Sequence, residues 1–172
     1  MSKSLSIAVL VAAAAALTVP ADANATIVQN AAGACQGARS DYTASLRIRP
    51  TGMNNEGTAN VFVSCSLNTS DYYQSANDVN GVVLSNRGSA DKSVSCTLAA
   101  GSFENQPSTL YPKSITVPAG VDYVVLSWDP DVDNAGAYFP NSINYSCALP
   151  PGIDLQTVFT NAVALPPPTV AP

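Results

Sequence analysis

The sequence predicts an all-β protein, an antiparallel β-sandwich of jelly-roll or immunoglobulin-like type with about eight short strands and two disulfides. Three observations predict it. Apolar and polar residues alternate with period two through most of the chain, the pattern of strands buried on one face. Clusters of Gly, Pro, Asn and Asp interrupt that alternation, each marking a turn. Four cysteines, at 35, 65, 96 and 147, follow an export-type N-terminus, and an even count in an exported chain implies paired sulfurs.

In chain order, residues 1–25 read as a secretory signal. Lys3 supplies the basic start, Leu5 to Val19 the apolar middle, and Ala23-Asn24-Ala25 a small-x-small cleavage site. Ala21-Asp22-Ala23 offers a second site. The apolar run is too short and too early for a permanent membrane span, and no other segment could cross a bilayer. Ala32-Gly33-Ala34 before Cys35 has the small residues of a lipid-anchor site, but the apolar core ends well upstream of it. Residues 26–163 then form one domain, long enough to bury a single core, and 164–172 form a tail. That tail, LPPPTVAP after Ala164, cannot extend a sheet, because proline lacks the amide donor.

The first strand is expected where Tyr42, Ala44, Leu46 and Ile48 alternate with Thr43, Ser45, Arg47 and Arg49, stopping at Pro50-Thr51-Gly52. Further strands are expected at Ala59–Leu67, Val82–Leu84, Ser93–Leu98, Ser114–Val117, Tyr123–Trp128, Ser142–Leu149 and Leu155–Phe159. Three of them share one form, apolar-Ser-Cys-x-Leu: Val63–Leu67, Val94–Leu98 and Tyr145–Leu149. Side chains alternate faces, so the apolar residue, the cysteine and the leucine of each copy point together into the core. Four cysteines allow three connectivities and spacing alone does not choose. The favoured pairing is Cys35 with Cys65 and Cys96 with Cys147, the first tying a loose post-signal segment to the second strand, the second joining two strands of matched pattern.

Composition narrows function by exclusion. Only 11% of residues are charged and the net charge is −5, with basic residues scattered, so no stripe exists to neutralise nucleic acid or an anionic membrane. The chain has no histidine, which removes Ser-His and Cys-His catalysis and the commonest zinc ligand. A carboxylate-pair glycosidase would be formally open, but no spacing points to one. The reading is therefore non-enzymatic.

Two candidate sites remain. In Trp128-Asp-Pro-Asp-Val-Asp-Asn-Ala-Gly136, Asp129, Asp131 and Asp133 match the first three positions of a calcium loop, and Asn134 stands at its turn. The distal carboxylate is missing, with Pro140 in its place, so an Asp-rich turn without metal is the competing reading. Calcium is the only cofactor considered. Tyr72, Tyr73, Trp128, Tyr138 and Phe139 are candidate rings for stacking on sugars, although Trp128 ends an apolar strand and reads equally as a core anchor. Asn68-Thr-Ser70 and Asn144-Tyr-Ser146 match the N-glycosylation pattern.

The combination of an early cysteine with VFVSCSL, SVSCTL and YSCALPPG resembles a loosely defined group of uncharacterised exported bacterial four-cysteine β-proteins. The resemblance implies export and a β-fold and transfers no site residues. Gly57-Thr-Ala-Asn-Val-Phe-Val-Ser-Cys65 is more faintly similar to secreted pilin or spore-coat-like sandwich subunits. The prolines after Ala164, where a completing strand would stand, depart from that pattern. The expectation is a secreted or periplasmic, non-enzymatic β-sandwich with a structural or surface-interaction role. Its alternatives are a carbohydrate-binding module and a calcium-stabilised extracellular domain, with an extracellular glycan or protein as partner.

Overall fold

The computed structural model describes residues 24–67, 75–101, 108–140 and 142–164. In chain order, β1 (Asn24–Asn30), a one-turn helix α1 (Ala31–Ala34) and β2 (Cys35–Gly37) precede a single 3₁₀ turn, Ser40–Ala44. There follow β3 (Leu46–Arg49), β4 (Gly52–Asn55), β5 (Val61–Ser66), β6 (Ser75–Asn86), β7 (Lys92–Ala100) and β8 (Thr109–Val117). The chain continues through β9 (Val124–Trp128), a second one-turn helix α2 (Pro130–Asp133), β10 (Ile143–Leu149) and β11 (Ile153–Ala164).

The strands make two antiparallel sheets. Sheet A runs β3-β4-β11-β6-β9, with β1 pairing β11 beside β4; sheet B runs β2-β5-β10-β7-β8. Alternation explains the layering. Val61, Val63, Cys65 and Leu67 are buried while Phe62 and Ser66 are exposed, and β10 repeats the pattern with Ile143, Tyr145, Cys147 and Leu149. These inner faces meet Met53, Val82, Leu84, Leu126, Trp128, Ile153, Leu155 and Val158 of sheet A. Each fully buried aliphatic or aromatic side chain contributes about 1.5–3 kcal/mol by leaving water.

The three apolar-Ser-Cys-x-Leu copies lie side by side as β5, β10 and β7, with Cys147 opposite both Val63 and Cys96, and Tyr145 opposite Cys65 and Leu98. The favoured cysteine pairing is the one observed: Cys35–Cys65 joins β2 to β5 and Cys96–Cys147 joins β7 to β10. Each bridge links directly opposed residues of neighbouring strands. Both therefore staple sheet B internally, and none of the four sulfurs crosses to sheet A.

Four sequence expectations change. Residues 40–44 close a 3₁₀ turn, with Tyr42 N–H donating to the Arg39 carbonyl and Ser45 N–H to that of Tyr42, so the first predicted strand begins only at Leu46. The Pro50-Thr51-Gly52 signal is a genuine hairpin turn, but the residues after it, Gly52-Met-Asn-Asn55, form a fully buried strand rather than a loop. Glycine is required at 52 because a Cβ there would sit 2.4 Å from the Leu155 carbonyl oxygen. The post-signal segment is no loose end, since Asn24–Asn30 pairs with Thr157–Val163. Among the described residues there are eleven strands, where about eight were expected.

Candidate functional site

Two turns with nearly the same sequence carry the chain from sheet A to sheet B. Asn55-Glu-Gly-Thr-Ala-Asn60 joins β4 to β5, and Asn86-Arg-Gly-Ser-Ala-Asp91 joins β6 to β7. Each asparagine is buried and builds its arch in the same way. Asn55 accepts from Gly57 N–H at 2.9 Å and donates to the carbonyls of Ala59 and Leu149 at 2.9 and 2.7 Å. Asn86 accepts from Gly88 N–H at 2.9 Å and donates to those of Ala90 and Val117 at 2.9 and 3.0 Å. The side-chain amide thus satisfies backbone groups that a bare turn would leave buried and unpaired. Counted on to the cysteines, the match extends to Asn-x-Gly-(Ser/Thr)-Ala-(Asn/Asp)-x-x-Val-Ser-Cys-(Ser/Thr)-Leu at 55–67 and 86–98. Reading the strand echo alone missed this longer repeat, which is plain in the sequence.

The arches share one end of the sandwich with the β10–β11 turn, where Gly152 N–H donates to the Asn55 carbonyl and Arg87 N–H to that of Gly152. The β8–β9 turn is fastened beside them: Asn86 N–H donates to the Val121 carbonyl and Ala119 N–H to Asp91 Oδ1. Between the second arch, this turn and β11 lies an open cleft of ≈ 310 Å³ lined by Ser85, Asn86, Arg87, Gly120, Val121, Asp122 and Gln156. Gln156 falls at the β11–β6 register shift between Leu155 and Thr157. Its Nε2 donates to the Asp122 carbonyl at 3.0 Å and so ties strand to turn.

The charges here are unequal in exposure. Asp154 has a side chain 5% exposed and is paired with Arg87 Nε, while the Arg87 side chain is 55% exposed. A buried carboxylate is tolerated only with such a partner, and Ser85 Oγ stands 3.5 Å from the same oxygen. The arginine covers the acid and keeps an edge toward solvent. Next to Asp122 in sequence, Tyr123 is 68% exposed. The cleft therefore offers guanidinium and amide donors beside carboxylate and hydroxyl acceptors.

The sequence-derived candidates fall elsewhere. Asp129, Asp131 and Asp133 do not converge. Asp129 Oδ1 caps α2 by accepting from Asp131 N–H at 2.9 Å. Asp133 Oδ2 takes Lys113 Nζ at 2.7 Å and Asp129 N–H at 2.8 Å, while Asp131 points to solvent. One oxygen of Asp129 and one of Asp133 are already engaged by amide or ammonium donors, and among the described residues no cluster of three or more His, Cys, Asp or Glu could hold a metal. These residues do not fit the ion. The loop instead closes one end of the sandwich. Asn134 accepts from Tyr111 OH and donates to the carbonyls of Ala137 and Tyr138, and Ala135 and Gly136, not Asn134, take the positive-φ positions.

Trp128 and Phe139 are fully buried and cannot stack on a ligand. Trp128 is the core anchor, donating its indole N–H to the Tyr111 carbonyl at 2.8 Å, and Phe139 meets Tyr111 edge to face at 5.1 Å. Tyr138 remains half exposed. Tyr72, Tyr73 and Asn68 lie outside the described residues. Asn144 sits in β10, half-buried, with its Oδ1 accepting from Ser66 Oγ at 2.7 Å. Tyr145 OH donates to the Phe159 carbonyl at 2.6 Å, and burial pushes its hydroxyl above the ordinary tyrosine range.

No protein-family model and no curated protein matches the chain. Among solved structures it is similar to a Podospora anserina GH26-CBM35 β-(1,4)-mannanase, at 10% identity and TM-score 0.43, over 84% of this chain and 29% of that one. It is also similar to an exo-β-1,3-galactanase of Phanerochaete chrysosporium with galactose, at 11% identity and TM-score 0.42, over 79% of this chain and 29% of that one. A third is the family 11 carbohydrate-binding module of Clostridium thermocellum in complex with a β-1,3-1,4-mixed-linked tetrasaccharide. It matches at 10% identity and TM-score 0.37, over 84% of this chain and 85% of that one. The chain thus spans under a third of the two enzymes and most of the module.

Proposed function

We propose that the chain is a secreted, non-catalytic β-sandwich domain whose surface-interaction role is to bind a neutral glycan in the cleft at Arg87, Asp122 and Gln156. The observation that carries this reading is the cleft's polar lining within ≈ 310 Å³. A site of this size suits one or two sugar rings, and apolar ligands ordinarily take pockets with apolar walls. Sugar hydroxyls both donate and accept, which matches guanidinium and amide donors set beside carboxylate and hydroxyl acceptors. The one arginine of the lining is already paired with Asp154, and Asp122 adds a second acid to the same lining, so an acidic sugar gains nothing over a neutral one. Tyr123 supplies the flat face for stacking.

Two further facts support the setting. Paired sulfurs of this kind persist chiefly in oxidising compartments, in keeping with the export-type N-terminus. No helix among the described residues is long and apolar enough to cross a membrane.

The test is calorimetric titration of the mature chain with a broad panel of neutral oligosaccharides, beside acidic ones. Binding to a neutral member, weakened at least tenfold by Gln156→Ala and by Tyr123→Ala, is expected; tenfold is about 1.4 kcal/mol. Neither variant exposes a buried charge, unlike Arg87→Ala. Flat titrations across the panel, or turnover of a polysaccharide by the pure chain, would refute the proposal.

A further inference from the structure

The outward positions of sheet B form a surface of unusual composition for an acidic protein. The residues pointing away from the core on β5, β7, β8 and β10 include Ser64, Ser66, Ser95, Thr97, Ser114 and Ser146, and none of the outward positions on these strands is charged. The chain has net charge −5; among the described residues its charges lie on sheet A, on turns and helical turns and at strand ends, apart from Lys113, which stands at an inward position of β8 and pairs with Asp133. Ser146 stands opposite both Ser64 and Thr97, and Ser95 opposite Ser114, so the hydroxyls run in rows across the strands. Ser95 and Ser114 are 2.7 Å apart, oxygen to oxygen. Phe62 and Leu110, both exposed, flank the rows on opposite sides.

We infer that this face is a docking surface for the flat side of a neutral, insoluble polysaccharide. The absence of charge selects the partner. A charged polymer would lose hydration here and gain no ion pair, whereas a neutral hydroxylated one exchanges like hydrogen bonds and leaves no charge desolvated. Extent argues against a second copy of the chain. Neighbouring strands are about 4.8 Å apart and outward residues span about 20 Å along β7, giving a face of roughly 400 Å². A stable protein–protein interface buries about 800 Å² per partner. The face does not depend on the cleft, which opens at the end of the sandwich.

Depletion of the mature chain by microcrystalline cellulose and by chitin tests the inference, with carboxylated and sulfated polymers in parallel. Retention on a neutral solid, unchanged between low salt and 1 M NaCl, is expected. Ser146→Arg at the centre of the face should cut the partition at least tenfold while Gln156→Ala leaves it intact. Ser114→Lys on the edge strand provides the same reading should the central variant fold poorly. No retention on either solid, retention abolished by salt, or retention lost with Gln156→Ala but kept in both face variants each overturns it. So does sedimentation showing a dimer that Ser146→Arg or Ser114→Lys dissociates. Because Gln156→Ala reads the cleft with soluble sugars, failure of the face leaves that test standing.

Discussion

Replacing Asn86 by alanine removes three hydrogen bonds at once: from its amide to the carbonyls of Ala90 and Val117, and from Gly88 N–H to its oxygen. Each contributes about 1 kcal/mol net, and the loss is larger where a buried carbonyl is left without a partner. Val117 is fully buried, so its oxygen has no water to turn to. The expected cost is about 3–4 kcal/mol, against a typical total of about 5–15 kcal/mol. For a domain of this size the melting temperature should fall by roughly 10 °C. Asn86→Asp is the sharper probe. It keeps the acceptor for Gly88 but sets carboxylate oxygen against two carbonyls, and should cost at least as much as alanine. The assay is urea unfolding at neutral pH with both disulfides intact, comparing midpoints at constant slope. Asn55→Ala should match Asn86→Ala to within about 1 kcal/mol, since each holds its arch by equivalent bonds. A loss below about 1 kcal/mol for Asn86→Ala, or an aspartate variant as stable as the parent, would show that these amides do not hold the arches.

Other consequences are equally direct. Gly81 lies under the Phe159 ring, where a Cβ would sit 2.4 Å from Cζ. Gly81→Ala should therefore cost about 1–3 kcal/mol in urea, with Phe159→Leu restoring part of it in a double-mutant cycle. Replacing Cys96 and Cys147 together by alanine should cost about 4 kcal/mol by the chain-entropy estimate, and replacing Cys35 and Cys65 about 3.5 kcal/mol, both readable from unfolding midpoints. Tyr145, neutral when folded, ionises near pH 10 once exposed. Its folded value is raised, so its contribution is complete below pH 10 and then declines by about 1.4 kcal/mol per pH unit. Unfolding midpoints from pH 9 to 11.5 should bend downward for the parent and less for Tyr145→Phe. Excess calcium should leave the melting temperature unchanged, because Asp129 and Asp133 are already engaged; a rise of several degrees would reopen the metal reading.

The sandwich and the sulfur pairing were legible because a half-buried strand writes its burial directly as alternation, and β5, β7 and β10 do so without a break. Strands whose inward positions are polar were not legible. β4 buries Asn54 and Asn55, and β6 buries Asn80, Ser85 and Asn86, so no apolar alternation marks these stretches, and Asn55, Asn80 and Asn86 spend their amides on the backbone. The run Tyr42–Arg49 shows the opposite failure. Its alternation is real, but local hydrogen bonding at Arg39 and Tyr42 closes a turn first. The cleft was hidden for a related reason: Arg87, Asp122 and Gln156 are far apart in sequence and come together only through the second arch, the β8–β9 turn and β11. The duplicated arch was the one available clue, since it marks Arg87 and Glu56 as equivalent, and only Arg87 is drawn to a buried acid.

β1 and β11 run antiparallel, with Asn24 facing Val163, so the first and last described strands start and finish together. From Gln156 to Ala164 the chain advances roughly 25 Å along β11, away from the arches. Anything joined ahead of Asn24 or beyond Ala164, whether a carrier surface, a neighbouring module or an affinity handle, would leave from the pole opposite the cleft. The polypeptide thus enters at Asn24 and leaves at Ala164 on the side away from the cleft, which faces outward from both.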